Sequence, residues 1–154
     1  MSVFPHRRMR IYLIVGLLLA APVVYWLASP LFVNVRVNES LPTSSNQQVR
    51  TIATGAFVNA DSFHRTSGKA TVVQTSDGER SVELTGFQTT NGPDLFVYLS
   101  TGNAAGDIVN LGPLKGNIGD QHYSVPAGVD LSRYNHVLIW CRTFSVLFGS
   151  AQLG

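Results

Sequence analysis

One thiol stands out. Cys141 is the only cysteine among 154 residues and lies in "HVLIWCRTFSVLFGSAQL" near the C-terminus. Without a second cysteine it cannot close a disulfide within the chain. There is no C-x-x-C for dithiol exchange and no C-x-x-C-H for covalent haem attachment. Three roles remain: a redox thiol, a thiolate ligand to a metal or haem, or a small core hydrophobe, because free cysteine is among the most buried residue types. A blue-copper centre needs two histidines, a cysteine and a weak axial ligand, often methionine. No histidine follows Cys141, and both methionines, Met1 and Met9, precede the globular part, so that centre is disfavoured. Arg142 is adjacent, but neighbours on a strand face opposite sides, so it is not aimed at the sulfur.

Other candidates are spread along the chain. The helpers a thiolate would need are His64, His122 and His136, each of which also reads as an ordinary loop or strand-end histidine. His64 lies in "SFHRTSG", a loop between strands. The segment "LGPLKGNIGDQHY" is glycine-rich, but a phosphate loop needs a helix N-terminus after it, and a β segment follows. Asp94, Asn117 and Asp120 could give oxygens to a hard cation. The competing reading, which we favour, is a tight loop with backbone-bonded Asn and Asp side chains. No G-x-S-x-G or H-E-x-x-H motif is present, so a redox or binding module is expected rather than a stand-alone enzyme.

The elements that must position these residues form four stretches. Residues 1–10 are basic and residues 11–33, "IYLIVGLLLAAPVVYWLASPLFV", carry no charge. A spanning helix needs ~20 apolar residues. The expectation is a transmembrane anchor over 11–33, with a cleaved signal as the competing reading. His6, Arg7, Arg8 and Arg10 would hold the N-terminus in the cytoplasm, and Tyr25 and Trp26 would mark the outer interface. The remainder would then be extracytoplasmic, periplasmic or at the cell surface, on a single-pass membrane protein. Residues 34–48 read as a polar linker or extended lead-in strand, and residues 49–154 as one domain.

That domain reads as all-β. "KATVVQT" and "RSVELTGF" flank "SDGE", where Asp77-Gly78 is a hairpin signal. In "DLFVYLS", Leu95, Val97 and Leu99 share one face and Phe96 and Tyr98 the other. Cys141 shares a face with Val137 and Ile139, opposite Leu138 and Trp140. A single antiparallel β-sandwich or barrel-like domain of about 7–9 strands is expected, preceded by the transmembrane helix. Its core is expected from Phe57, Val72, Leu84, Phe96, Val97, Leu111, Ile139 and Trp140.

Charge narrows the partners. The chain is +2 overall, but from Gln47 onward seven basic and eight acidic residues leave it near −1. The basic balance therefore belongs to the N-terminus, and no basic stripe or zinc-finger spacing points to nucleic acid. Nucleic-acid binding is not expected.

"GAFVNADSFHRTSGKATV", "GFQTTNGPDLFVYLS", "LGPLKGNIGDQHYSVP" and "VDLSRYNHVLIWCRTFSVLFGSAQL" together resemble the DM13 domain, over about 55–153. The resemblance implies a bacterial, membrane-anchored type and a β-rich domain of an electron-transfer system. It implies that the family cysteine, here Cys141, acts as a bare thiol or holds a prosthetic group such as haem. It further marks His64, Gly92, Pro93, Asp94, Gly116, Asn117, Gly119, Asp120, Gln121 and Phe144. Family members often have Asn at the His122 position, which leaves His64 as the better cofactor-binding companion of Cys141. The function expected is a tethered redox module acting through Cys141 with a redox partner protein. The alternative is a tethered binding or adhesion module with a structural cysteine.

Overall fold

The computed structural model describes residues 5–29, 32–44 and 48–154, with the side chains of 5–8, 26–28 and 44 outside that description. The chain forms two compact units, residues 1–33 and residues 34–154.

The first unit holds one helix, α1 (Pro5–Ala28), with Pro22 inside it. The apolar run does not form a single helix. It leaves the helix at Ala28, and the N–H groups of Phe32 and Val33 both donate to the Ser29 carbonyl in a turn. The uncharged part of α1 runs only from Ile11 to Ala28, with Pro22 inside it. Among the described residues no helix is long and apolar enough to cross a membrane. This corrects the expected transmembrane anchor over 11–33. With it fall the membrane as a partner, the single-pass topology with its cytoplasmic N-terminus, and the extracytoplasmic placement of the domain. A redox partner protein is likewise unsupported. The side chains of His6, Arg7, Arg8 and Trp26, together with Pro30 and residues 45–47 of the expected linker, lie outside the described residues.

The second unit is a single antiparallel sheet of eight strands: β1 (Val49–Asn59), β2 (Thr66–Thr75), β3 (Arg80–Thr89), β4 (Leu95–Ser100), β5 (Ile108–Pro113), β6 (Gln121–Val125), β7 (His136–Cys141) and β8 (Val146–Gln152). Their order is β5-β4-β7-β8-β1-β2-β3-β6. The outermost strands β5 and β6 approach each other, so the sheet curls into a near-barrel. Alternation decides which side chains go inside. Leu95, Val97 and Leu99 of β4 and Val137, Ile139 and Cys141 of β7 join the main core with Val72, Leu84 and Phe87. Phe96, Tyr98 and Leu138 pack on the outer face, with Trp140 and Leu147 half-buried beside them. Of the expected core members, Phe96 is buried in this outer cluster and Trp140 is only half-buried beside it. Leu111 only borders the main core.

The antiparallel order brings four connections to one end of the barrel: 60–65, 90–94, 114–120 and 142–145. All the candidate site residues lie at or next to that end except His136, which opens β7 at the opposite end, across from Ser100 and Gln152. Residues 34–43 are also fixed there. Arg36 bridges to Ile118 in parallel fashion, and Leu41 is buried.

Candidate functional site at one end of the barrel

Cys141 is the last residue of β7. It pairs with Leu95 on β4 and Val146 on β8, and it is 0% exposed. The sulfur is therefore enclosed in apolar core. The turn that follows is tied to the 90–94 loop through Asp94. The Arg142 N–H donates to the Asp94 carbonyl (3.0 Å), while Arg142 Nε (3.1 Å) and Thr143 Oγ1 (3.2 Å) donate to its carboxylate. The Arg142 guanidinium also lies over the Phe96 ring, 4.2 Å from its centre, on the face away from Cys141. Ser145 holds φ at 53°, a left-handed conformation costly for a residue with a Cβ. Phe144, just before it, is 65% exposed.

His64 is fixed by a residue that the sequence reading had passed over. Asp61 Oδ1 accepts the N–H groups of Phe63 (2.7 Å) and His64 (2.6 Å), and Asp61 Oδ2 lies 2.7 Å from His64 Nδ1. The hydrogen bond from the His64 ring, followed by its backbone N–H, lowers the Asp61 carboxyl to about 2. The spacing D-x-x-H in "DSFH" was the available signal. The imidazole packs against Phe148, with ring centres 4.4 Å apart. Phe148 in turn lies against Gly92: a Cβ there would come 2.8 Å from Phe148 Cζ and 2.9 Å from Leu95 Cδ2. Glycine at this point lets the 90–94 loop close over the core beside Cys141. His64, Gly92, Asp94 and Cys141 are thus linked through Phe148 and Leu95.

Asn117, Asp120 and Gln121 form a second grouping. Asn117 Oδ1 accepts the Val35 N–H (2.7 Å), and Asn117 Nδ2 donates to Asn34 Oδ1 (2.9 Å) and to the Thr89 carbonyl (3.3 Å). Asp120 Oδ1 accepts the Gly86 N–H (2.7 Å). Gln121, fully buried, bonds the Gly116 backbone in both directions and accepts the Tyr123 hydroxyl at 2.7 Å. Burial pushes the Tyr123 phenol up, so it stays a donor. Gly119 (φ 105°) and Gly116 are needed for close approach: a Cβ on either would meet the backbone carbonyl of Val37 or Val35.

Sequence reading also passed over Glu39, Lys115 and Glu83. Lys115 Nζ donates to both Glu39 oxygens (2.7 and 2.8 Å). Glu83, which alternates with the buried Leu84, is 1% exposed, because Thr43 covers it and donates through its N–H (2.9 Å) and hydroxyl (2.6 Å).

The donor set can be tested against a metal or haem. Cys141 has no open side. His64 commits Nδ1 to Asp61. Asp94, Asn117 and Asp120 spend oxygens on separate protein donors. Among the described residues no three metal-ligating groups of the His, Cys, Asp and Glu type converge. These side chains do not converge as a metal cluster, and no step through a bound group is derived.

No curated protein and no solved structure matches the chain. The family model described as "Electron transfer DM13" matches residues 56–153, which include every candidate named above except Glu39. Since that is well over half its length, the chain belongs to the DM13 family.

Proposed function

We propose that this domain is an electron-transfer module whose redox group is Cys141, kept as a protected thiol and exposed when the 142–145 turn opens. The observation that carries the reading is Asp94. Its carbonyl and carboxylate take three hydrogen bonds from the turn directly after the only thiol. The strained Ser145 and the exposed Phe144 mark the same turn as a segment held in place rather than one at rest. A buried thiol is inert until it is reached, because nucleophilic and redox chemistry require thiolate and access. His64, with Nδ1 held by Asp61, would meet such an opened site from the neighbouring loop.

The second reading is a binding module in which Cys141 is packing. Its complete burial between Leu95 and Val146 favours this reading. Thiol kinetics separate the two. Cys141 is allowed to react with an aromatic disulfide reagent across a range of urea concentrations. Under the redox reading, labelling proceeds through a local opening with little urea dependence and speeds up in Asp94→Ala. The modified thiol is then recovered by reductant with the fold intact. If labelling follows global unfolding in both proteins, Cys141 is packing and the redox reading fails.

A further inference from the structure

Residues 34–43 lie outside the segment matched to the family, yet the matched loop is shaped around them. The Val37 N–H donates to the Ile118 carbonyl (2.9 Å), the Ile118 N–H to the Val35 carbonyl (3.3 Å), and the Glu39 N–H to the Asp120 carbonyl (2.8 Å). This is an isolated parallel bridge, extended by one further bond, on the loop that leads into β6. Gly116 and Gly119 leave room for it. Beside the bridge, the Glu39 carboxylate receives Lys115 Nζ and the His122 N–H at 2.9 Å. His122 Nδ1 is buried and 3.2 Å from Glu39 Oε2, without a hydrogen bond. Main-chain pairing joined to a side-chain selector is how sheet edges recognise extended peptides.

We propose that the 114–121 loop and the start of β6 form a docking groove for an extended segment bearing a carboxylate, and that residues 34–43 are its releasable occupant in this chain. The strap's hold is mostly polar. Leu41 is its buried anchor, while Val35, Arg36, Asn38 and Ser40 are exposed. Segments with few buried apolar contacts and solvent-facing backbone bonds open at a free energy below that of global unfolding. The charge that selects is Lys115. Asp120 is turned away to Gly86, and Glu83 is taken by Thr43. The inference is independent of any chemistry at Cys141.

The test uses the full chain, its Glu39→Gln variant, and a labelled peptide of sequence NVRVNESLPTS. By hydrogen exchange, the amides of Val37 and Glu39 should open at least about ten-fold faster than those of Val97 and Ile139, and faster again in Glu39→Gln. The peptide should bind Glu39→Gln at least about ten-fold more tightly than the parent chain, whose own strap competes at high effective concentration. Replacing Glu by Gln in the peptide should abolish that gain. The proposal is overturned if the strap amides exchange only with the core amides, or if the loosened chain takes up no peptide.

Discussion

The barrel end has two sides built on opposite principles. Around Cys141 the contacts are apolar, and only the rim, Asp94 with Arg142 and Thr143, is polar and solvent-facing. Around Gln121 the interior itself is polar, and the strap keeps water off Glu83 and Asn117. An apolar wall under an exposed ion pair resists replacement of its large side chains but gives up its rim cheaply. A buried polar network loses heavily when any member goes, because the partners left behind stay desolvated. The family's marked residues fall on both sides, so they need not share one task.

The sharpest way to break the contrast is Phe148→Ala. Phe148 is buried between His64 and Gly92, and its loss should cost about 3–5 kcal/mol in chemical denaturation. Cys141 should label faster, while the strap amides keep their protection relative to the core. Gln121→Ala comes next, at about 1–3 kcal/mol, because the Gly116 backbone and the Tyr123 hydroxyl lose their partner. Here the strap should loosen and the labelling rate should hold. If both variants moved both readouts together, the two sides would be one cooperative unit.

Acid sharpens the comparison further. Burial would raise the Glu39 carboxyl, but the hydrogen bond from Lys115, followed by that from the His122 backbone, outweighs it and lowers the group below its ordinary value of 4.5. A depressed carboxyl stabilises the fold above its unfolded pKa, and that contribution is lost as pH falls through the folded value. The stability difference between the parent chain and Glu39→Gln should therefore be constant near neutrality and shrink on acidification below about pH 4.5. Urea midpoints against pH would show it, and a gap that widened in acid would contradict the assignment. The smallest effect is expected from Arg142→Gln. An exposed ion pair contributes about 0–1 kcal/mol, so the melting temperature should barely change. The Cys141 labelling rate should nonetheless rise, because the turn has lost one of its ties to Asp94.

The strands were legible because side-chain alternation is local. "DLFVYLS" and "HVLIWC" show both faces of β4 and β7 in consecutive letters, and Asp77-Gly78 falls in the β2–β3 turn. Asn117 and Asp120 do bond backbone, but that of Thr89, Val35 and Gly86 rather than that of their own loop. The strap contacts were not legible. Asn117 meets Val35 across 82 residues and His122 meets Glu39 across 83, and no pattern in either segment announces its partner. Glu83 alternates as an outward residue and is so placed, but the outside there is covered by chain. The apolar run at 11–33 misled for a related reason. Hydropathy adds up residues without knowing that the helix stops at Ala28. Trp140 stands in the expected core although its register, one residue out of phase with Cys141, points to the outer face, and that is where it lies.

Those separations of 82 and 83 residues also say something about time. Closing so long a loop is entropically slow, and the contacts that require it form late. During synthesis the strap is made first, but the groove that receives it is completed only after His122 has emerged. Throughout that interval Val35, Val37 and Leu41 have no native partner. β1 waits longer still, since Phe57 pairs with Ala151, so the strap amides and the β1–β8 seam are both expected to gain protection late, after the local hairpins.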